Sequence, residues 1–199
     1  MNEEEREELL IPEEAYLLSG VHIGTRQKSA DMKRFIYRVR DDGLYLLNIK
    51  ETNRRIKLAA QFLNSYPPDR VVVVSSRQYG QKPAKLFAQL IGSKAILGRF
   101  TPGTFTNPDF SGYTEPDIVI LTDPLIDAQA LGESVDVGIP VIGICDTNNN
   151  LKNLDHVIPA NNKGRKSLAL IYFLLTREIL KIRGEEMTLG EEDFEESFE

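Results

Sequence analysis

Residues 141–175 hold the densest set of side chains that could do chemistry. An apolar strand pattern ends at Asp146, where a carboxylate could act as a general base or bind a metal ion. The amide and basic residues that follow are better suited to binding phosphates and sugars. They are Asn148, Asn149, Asn150, Asn161, Asn162, Lys163, Arg165 and Lys166. The region therefore indicates either an enzyme site or a nucleic-acid-binding surface.

An enzyme would also use the polar residues that follow the other predicted strands. Asp123 follows one strand and Ser75-Ser76 follow another, so they meet at the carboxyl edge of a parallel sheet. The alternative function is thus a small-molecule-binding enzyme that uses Asp123 and Ser75 or Ser76. Magnesium-dependent phosphate chemistry would need an acidic pair after the first parallel strand, where Ser75-Ser76-Arg77 supplies none. We therefore expect Asp123 and Asp146 to cap turns or helix ends.

Other catalytic and cofactor-binding patterns are missing from the sequence. No glycine-rich dinucleotide fingerprint follows a predicted strand, and residues 164–167 (GRKS) lack the spacing of a phosphate-binding loop. Cys145 is the single cysteine, which excludes an intrachain disulfide and a cysteine-based zinc site. No motif pairs His22 or His156, the only histidines, with Cys145. We expect no catalytic residue, no metal and no cofactor.

Basic residues are concentrated in two segments. Six of them lie between Arg26 and Arg40, with Asp31 as the only acidic residue there. A second group lies at the predicted start of the last helix, where free N–H groups favour anions. The residues expected to contact phosphates are Arg26, Lys28, Lys33, Arg34, Arg38, Arg40, Arg77, Lys163, Arg165 and Lys166.

Residues 34–47 are expected to form a β-hairpin with Asp-Gly at its turn. Strict alternation along the first strand would place its arginines on one face, toward phosphates. Phe35, Tyr37 and Val39 would lie on the other face, packed against the domain.

The remaining chain alternates short apolar runs with helical periodicity. Five strands are predicted at 71–74, 95–97, 117–121, 141–145 and 156–158. Asn48 and Glu51 are expected to form a capping box on the first long helix, and Asn162 is expected to cap the last helix. Such alternation predicts a doubly wound, three-layer α/β/α fold with a parallel sheet of about five strands.

Charge is segregated along the chain, although the net charge is only -6. The expected organisation is an acidic N-terminal segment (1–14), a single α/β domain (15–183) and an acidic, disordered C-terminal tail (184–199). The domain has 23 Lys and Arg against 15 Asp and Glu, which favours a polyanionic partner. Leu9, Leu10 and Ile11 suggest that residues 3–14 form a helix that docks on a basic neighbouring protein. The N-terminus does not have the pattern of a signal peptide, and no membrane partner is expected.

Several separated motifs resemble a known family. They are GVHIGTR at 20–26, PDIVILTD at 116–123, ICDTN at 144–148 and IPANNKG at 158–164. Their order and spacing resemble the S-two family of small-subunit ribosomal proteins, over roughly residues 12–184. The direct run from the first long helix into Val71 leaves no room for the insertion of bacterial members, so the resemblance is to the archaeal-type branch.

This resemblance implies a flavodoxin-like domain without catalytic activity or a small-molecule substrate. It also implies a structural role in the small ribosomal subunit and a cytoplasmic location, with small-subunit rRNA and neighbouring ribosomal proteins as partners. Two alternatives remain open on the residues alone. The enzyme alternative predicts a deep closed pocket, and an adhesion-type receptor would require surface exposure that no targeting signal supports.

Overall fold

Five apolar runs form the parallel sheet at the centre of the molecule. The computed structural model describes residues 9–195. Its main elements are α1 (Glu13–Ser19), β1 (Ile36–Val39), β2 (Tyr45–Leu47), α2 (Ile49–Asn64), β3 (Val71–Ser75), α3 (Gln78–Ile91), β4 (Lys94–Leu97), β5 (Ile118–Leu121), α4 (Ala128–Val137), β6 (Val141–Cys145), β7 (His156–Pro159), α5 (Arg165–Arg183) and α6 (Glu191–Phe194). The strand order is β4-β3-β5-β6-β7, with β1 and β2 forming a separate antiparallel hairpin. The predicted flavodoxin-like fold class is therefore confirmed.

The three central strands end at the same edge of the sheet. β3, β5 and β6 are buried along their whole length, as expected for continuous apolar runs covered on both faces. In the parallel register Val74 lies opposite Leu121, and Leu121 lies opposite Gly143. The polar residues that follow these strands are thereby brought together at the carboxyl edge.

Three helices cover one face of the sheet. α2 and α3 both pack against α5, whose apolar side chains fill the largest core cluster. The rings of Phe87 in α3 and Tyr172 in α5 lie 5.7 Å apart. The Tyr172 hydroxyl is satisfied inside this core by a 2.7 Å hydrogen bond with the Thr122 hydroxyl.

The opposite face is covered partly by irregular chain. Phe100 and Phe105, with ring centroids 5.1 Å apart, pack from the loop at residues 98–117 onto the sheet. The buried carboxylate of Glu133 in α4 accepts hydrogen bonds from the backbone N–H groups of Gly103 (2.7 Å) and Phe105 (2.9 Å). One side chain thus fixes a loop that has no regular secondary structure.

The start of α2 agrees in part with the expected capping box. The Asn48 side chain accepts a hydrogen bond from the Lys50 N–H at 3.1 Å, so Asn48 is the N-cap. The reciprocal half is absent from the structure, because the Asn48 N–H donates to the carbonyl of Phe35. Glu51 instead forms an ion pair with Arg55 at 2.9 Å.

The predicted cap of α5 was wrong. The helix begins after Gly164, and Asn162 is fully buried beneath the turn instead of capping it. The Asn161 side chain accepts the N–H groups of Lys163 and Gly164, both at 3.0 Å. Because Asn161 and Asn162 are adjacent and of the same type, the sequence could not show which of them supports the turn and which is buried.

The hairpin contradicts the predicted alternation. Ile36 pairs with Leu47 and Arg38 pairs with Leu46, so Tyr37 is the extra residue of a β-bulge. Phe35 is buried as expected, whereas the Tyr37 side chain is 72% exposed and that of Val39 is 52% exposed. One inserted residue breaks the period of two on which the expectation rested.

The C-terminal segment was expected to be disordered, but residues 184–195 pack on the domain. We call these residues the C-terminal strap. Phe194 is fully buried and its ring meets Phe173 of α5 edge-on, with centroids 5.9 Å apart. Glu195 forms a 2.6 Å ion pair with Arg165, and its carbonyl accepts a 2.6 Å hydrogen bond from Lys82. Burial of the Phe194 ring therefore holds the strap on the domain, although most residues of the strap are polar.

The apolar residues near the N-terminus also serve this chain's own core. Leu9, Leu10 and Ile11 are not helical, and they pack against the core cluster. The Leu10 N–H donates to the Asn53 side chain at 2.9 Å, and the Leu10 carbonyl accepts from Arg177 at 2.9 Å. The expected docking helix at 3–14 is therefore wrong for residues 9–12, whereas Glu13 and Glu14 begin α1. Residues 3–8 lie outside the described part.

Phe194→Ala should destabilise the protein by about 3 kcal/mol, because it removes buried apolar surface and leaves a cavity against Phe173. Urea unfolding followed by circular dichroism measures this loss. Val137→Ala, at an exposed apolar position, is the matched control and should change the free energy of unfolding by less than about 0.5 kcal/mol. Equal effects of the two variants would show that the strap is not anchored by Phe194.

Glu133 should produce an acid-sensitive component of stability. Burial raises the pKa of Glu133, but hydrogen bonds from Gln129, Phe105, Gly103 and Thr106 outweigh burial and lower it below the ordinary value of 4.5. The stabilisation is fully present above pH 4.5 and is lost as the pH falls through the lower folded-state pKa.

Glu133→Gln should therefore cost about 1–3 kcal/mol at neutral pH and progressively less in acid. Urea unfolding of both proteins between pH 7 and pH 3 measures the difference. Glu14→Gln, at an exposed carboxylate, is the control and should show no such trend. A difference for Glu133→Gln that stays constant with pH would contradict the assignment.

Candidate nucleic-acid interface

The carboxyl edge of the sheet is occupied by a hydrogen-bonded side-chain network. Asp123 is only 1% exposed. One of its oxygens accepts from Nε and a terminal nitrogen of Arg77, at 2.9 and 2.7 Å. The other accepts from the Leu125 N–H at 3.0 Å and from the Asn149 amide at 2.9 Å. Each oxygen of the Asp123 carboxylate thus accepts two hydrogen bonds from groups of the protein itself.

Asn149 connects this carboxylate to the second one. Its Oδ1 accepts from the Asp146 N–H at 2.8 Å and from the Asn162 amide at 3.1 Å. Asp146, also 1% exposed, forms a 2.5 Å ion pair with Lys163. We call Arg77, Asp123, Asp146, Asn149, Asn162 and Lys163 the polar network.

A third carboxylate supports the turn after β5. Asp127 accepts hydrogen bonds from the Ser76 N–H at 2.9 Å and the Asp123 N–H at 3.1 Å. Burial raises the pKa of Asp127, while these hydrogen bonds oppose the rise. Asp127 and Asp123 therefore fix the backbone of the crevice in which an enzyme of this fold would bind its substrate.

The loop at residues 20–29 closes the same edge from outside. The Thr147 hydroxyl lies 3.0 Å from the Thr25 N–H and donates to the Gln27 carbonyl at 2.9 Å. The Ser29 N–H donates to the Thr147 carbonyl at 2.8 Å. Gly24 is needed for this close approach, because a Cβ there would collide with the Thr147 side chain. The crevice is filled by the chain itself.

This geometry gives the enzyme alternative no site. Asp123 and Asp146 do more than cap turns, since each neutralises a basic side chain, but neither has room for a substrate. Within residues 9–195, no group of three or more His, Cys, Asp or Glu is placed to bind a metal ion. Burial raises the pKa of the Cys145 thiol well above its usual value, so it is not a poised nucleophile.

The structure separates the ten predicted contact residues into two sets. The first set is exposed and lies on one continuous segment, residues 26–40, which we call the basic segment. Its members are Arg26, Lys28, Lys33, Arg34, Arg38 and Arg40. Lys28 lies over the Tyr45 ring at 4.9 Å and Arg34 lies over the Phe35 ring at 4.8 Å, so aromatic faces orient two of these charges.

The second set is largely paired. Arg77 and Lys163 are held by buried aspartates of the polar network, and Arg165 is held by Glu195 of the strap. Lys166 is exposed at the start of α5. The turn before α5 therefore presents less uncompensated positive charge than its sequence suggests.

Sequence reasoning missed three participants. Gly24 and Thr147 were read only as parts of motifs, although a glycine and a threonine that must touch across the fold leave no local signal. Glu195 was assigned to a solvated tail. Phe194, an aromatic residue within the acidic run, was the available signal that this segment docks.

The structure is thus that of an α/β protein whose carboxyl-edge crevice is filled by its own side chains and whose basic segment is exposed beside it. A family model described as ribosomal protein S2 matches residues 16–111 and 111–181. The chain belongs to the ribosomal protein S2 family, the S-two family that its motifs indicate, whose members are structural proteins of the ribosome and not enzymes.

Two relatives show how far the similarity extends. A small ribosomal subunit protein uS2 from Methanoregula boonei is 60% identical over 191 residues, which cover 96% of this chain and 94% of the relative. A protein of the same name from Haloquadratum walsbyi is 56% identical over 192 residues, which cover 96% of this chain and 69% of the relative. The predicted archaeal-type branch is thereby confirmed. Among the described residues, no helix is long and apolar enough to cross a membrane.

Asn149→Ala should destabilise the protein by about 2–3 kcal/mol. The reason is that the Asp146 N–H and one N–H of the Asn162 amide lose their acceptor in a buried site. Asn150→Ala is the matched control. Asn150 is exposed and accepts only a local hydrogen bond from the Lys152 N–H, so its loss should cost less than about 0.5 kcal/mol. Urea unfolding measures both values, and similar values would contradict the bridging role of Asn149.

Proposed function

We propose that this protein is a structural component of the small ribosomal subunit that binds small-subunit rRNA through its basic segment. The single observation that supports this assignment is the exposure of all six basic side chains of residues 26–40 next to a crevice that is closed to small molecules. Neighbouring ribosomal proteins are the other proposed partners. The proposed location is the cytoplasm, on the small subunit.

The basic segment suits phosphates because it combines charge with a fixed backbone. Hydrogen bonds from Thr25 and Ser29 to Thr147 hold its beginning, and the Met32 N–H bonds to the Ser29 hydroxyl at 3.1 Å. A backbone that is ordered before binding loses little entropy when RNA binds. Arginine and lysine heads on such a frame can neutralise phosphates and release counterions.

Arg77 and Lys163 have a supporting role in this proposal. Their charges face the buried carboxylates of Asp123 and Asp146, so their main contribution is to the frame beneath the RNA. Lys166 remains a candidate phosphate contact beside the helix start. Arg165 can bind a phosphate only if its ion pair with Glu195 is broken.

Neutralisation of about six phosphates would give a slope of log K against log salt concentration of roughly -4 to -5. Alanine at Arg26, Lys28, Lys33 and Arg34 together should make this slope shallower by about 3 and should weaken incorporation into small subunits. Filter binding to transcribed archaeal small-subunit rRNA over a range of salt concentrations measures the slope. Co-sedimentation with salt-washed small subunits measures incorporation.

The matched control replaces four exposed basic residues away from the segment, and it changes the net charge by the same amount. They are Lys85, Lys94, Arg99 and Lys181. This control should keep most of the wild-type slope. The two variants behaving alike, or normal incorporation of the first one, would refute the proposed interface.

A further inference from the structure

The bulge in β1 presents an aromatic ring to solvent in the middle of the basic segment. Tyr37 is the residue left without a cross-strand partner, and its side chain is the most exposed aromatic one among the large exposed hydrophobic residues of the described chain. Neither its ring nor its hydroxyl has a partner within residues 9–195. An exposed ring at a bulge is a common way for a strand to redirect a side chain toward a ligand.

Other aromatic residues of the same region are used internally. Phe35 is buried and lies beneath Arg34 and Arg55. Tyr45, on the paired strand, lies under Lys28. Tyr37 has no such internal contact within residues 9–195, so its ring is open to a ligand from outside the chain.

The charged residues near Tyr37 in sequence indicate which kind of ligand its ring would bind. Arg38 follows Tyr37 on β1 and Arg40 lies just after the end of this strand, while Lys33 and Arg34 precede Tyr37 on a 3₁₀ turn. The carboxylates nearest in sequence are Asp41 and Asp42 at the hairpin turn, and Asp42 is paired with Arg40 at 3.2 Å. A flat aromatic face bordered by arginines is complementary to a base whose backbone phosphates lie on either side.

We propose that Tyr37 stacks on an unpaired base of the small-subunit rRNA, while Arg34 and Arg38 bind the phosphates beside that base. This inference rests on the proposed function and adds the single-stranded character of the RNA that the hairpin recognises. Val39, two residues further along the same strand, is also half exposed. Phosphate contacts alone would not distinguish paired from unpaired RNA, whereas stacking does.

Substitution at Tyr37 tests the stacking. Tyr37→Ala should weaken binding to transcribed archaeal small-subunit rRNA by roughly 5- to 150-fold. It should leave the salt slope unchanged, because no charge is removed. Tyr37→Phe should bind like wild type, and Tyr37→Leu should bind like Tyr37→Ala. A fully paired RNA duplex should bind wild type and Tyr37→Ala equally.

Fluorescence gives a direct readout, because the chain has no tryptophan. Tyr37→Trp should be quenched when the rRNA transcript binds, since a stacked base contacts the indole. Tyr66→Trp places the same probe after α2, at the opposite edge of the sheet, and should not change. Circular dichroism of each variant confirms that the fold is intact.

The outcomes separate this inference from the function on which it rests. Unchanged RNA affinity of Tyr37→Ala, with a shallower slope for the fourfold basic variant, would overturn stacking and leave the rRNA interface in place. Unchanged RNA affinity with reduced subunit incorporation would show that Tyr37 meets a protein neighbour, which also overturns it. Loss of effect in both the Tyr37 and the basic variants would overturn the inference and the proposed function together.

Discussion

The ion pairs that join Asp123 to Arg77 and Asp146 to Lys163 are the constraint on which the functional surface depends. Both carboxylates are buried, so each requires a basic partner and further hydrogen bonds to offset the loss of hydration. Asn149 links the two pairs and ties them to the strand ends. The part of this fold that usually binds a ligand has become a fixed base for the loops above it.

This base divides the positive charge of the protein into structural and available portions. Arg77 and Lys163 face inward, and the strap covers part of the start of α5. The basic segment faces outward, and within residues 9–195 Arg40 is the one member with a carboxylate partner, Asp42. RNA binding is therefore proposed where most of the positive charge is unpaired, and the number of basic residues in a sequence window is a poor guide to it.

The sheet was predictable because its strands are continuous apolar runs and its helices follow a clear periodicity. The resemblance implied a flavodoxin-like sheet, and the observed strand order β4-β3-β5-β6-β7 agrees with it. The position of Tyr37 was not predictable, because a single bulge residue reverses the inside and outside of a strand. Asn149 has its role through Asp123, which lies 26 positions away in sequence. Phe194 packs against Phe173 from within an acidic segment, so local composition did not predict its burial. The sequence motifs thus indicated the region of the candidate site, whereas the role of each residue became clear only from its tertiary contacts.

The contacts between the loop at residues 20–29 and Thr147 have a consequence for biosynthesis. They join residues 122 positions apart, so they can form only after the chain has been translated through β6. Until then, Gly24 and Thr25 can form their backbone hydrogen bonds with Tyr45, but they lack their contacts with Thr147. The start of the segment proposed to bind RNA is thus completed only late in the synthesis of the chain.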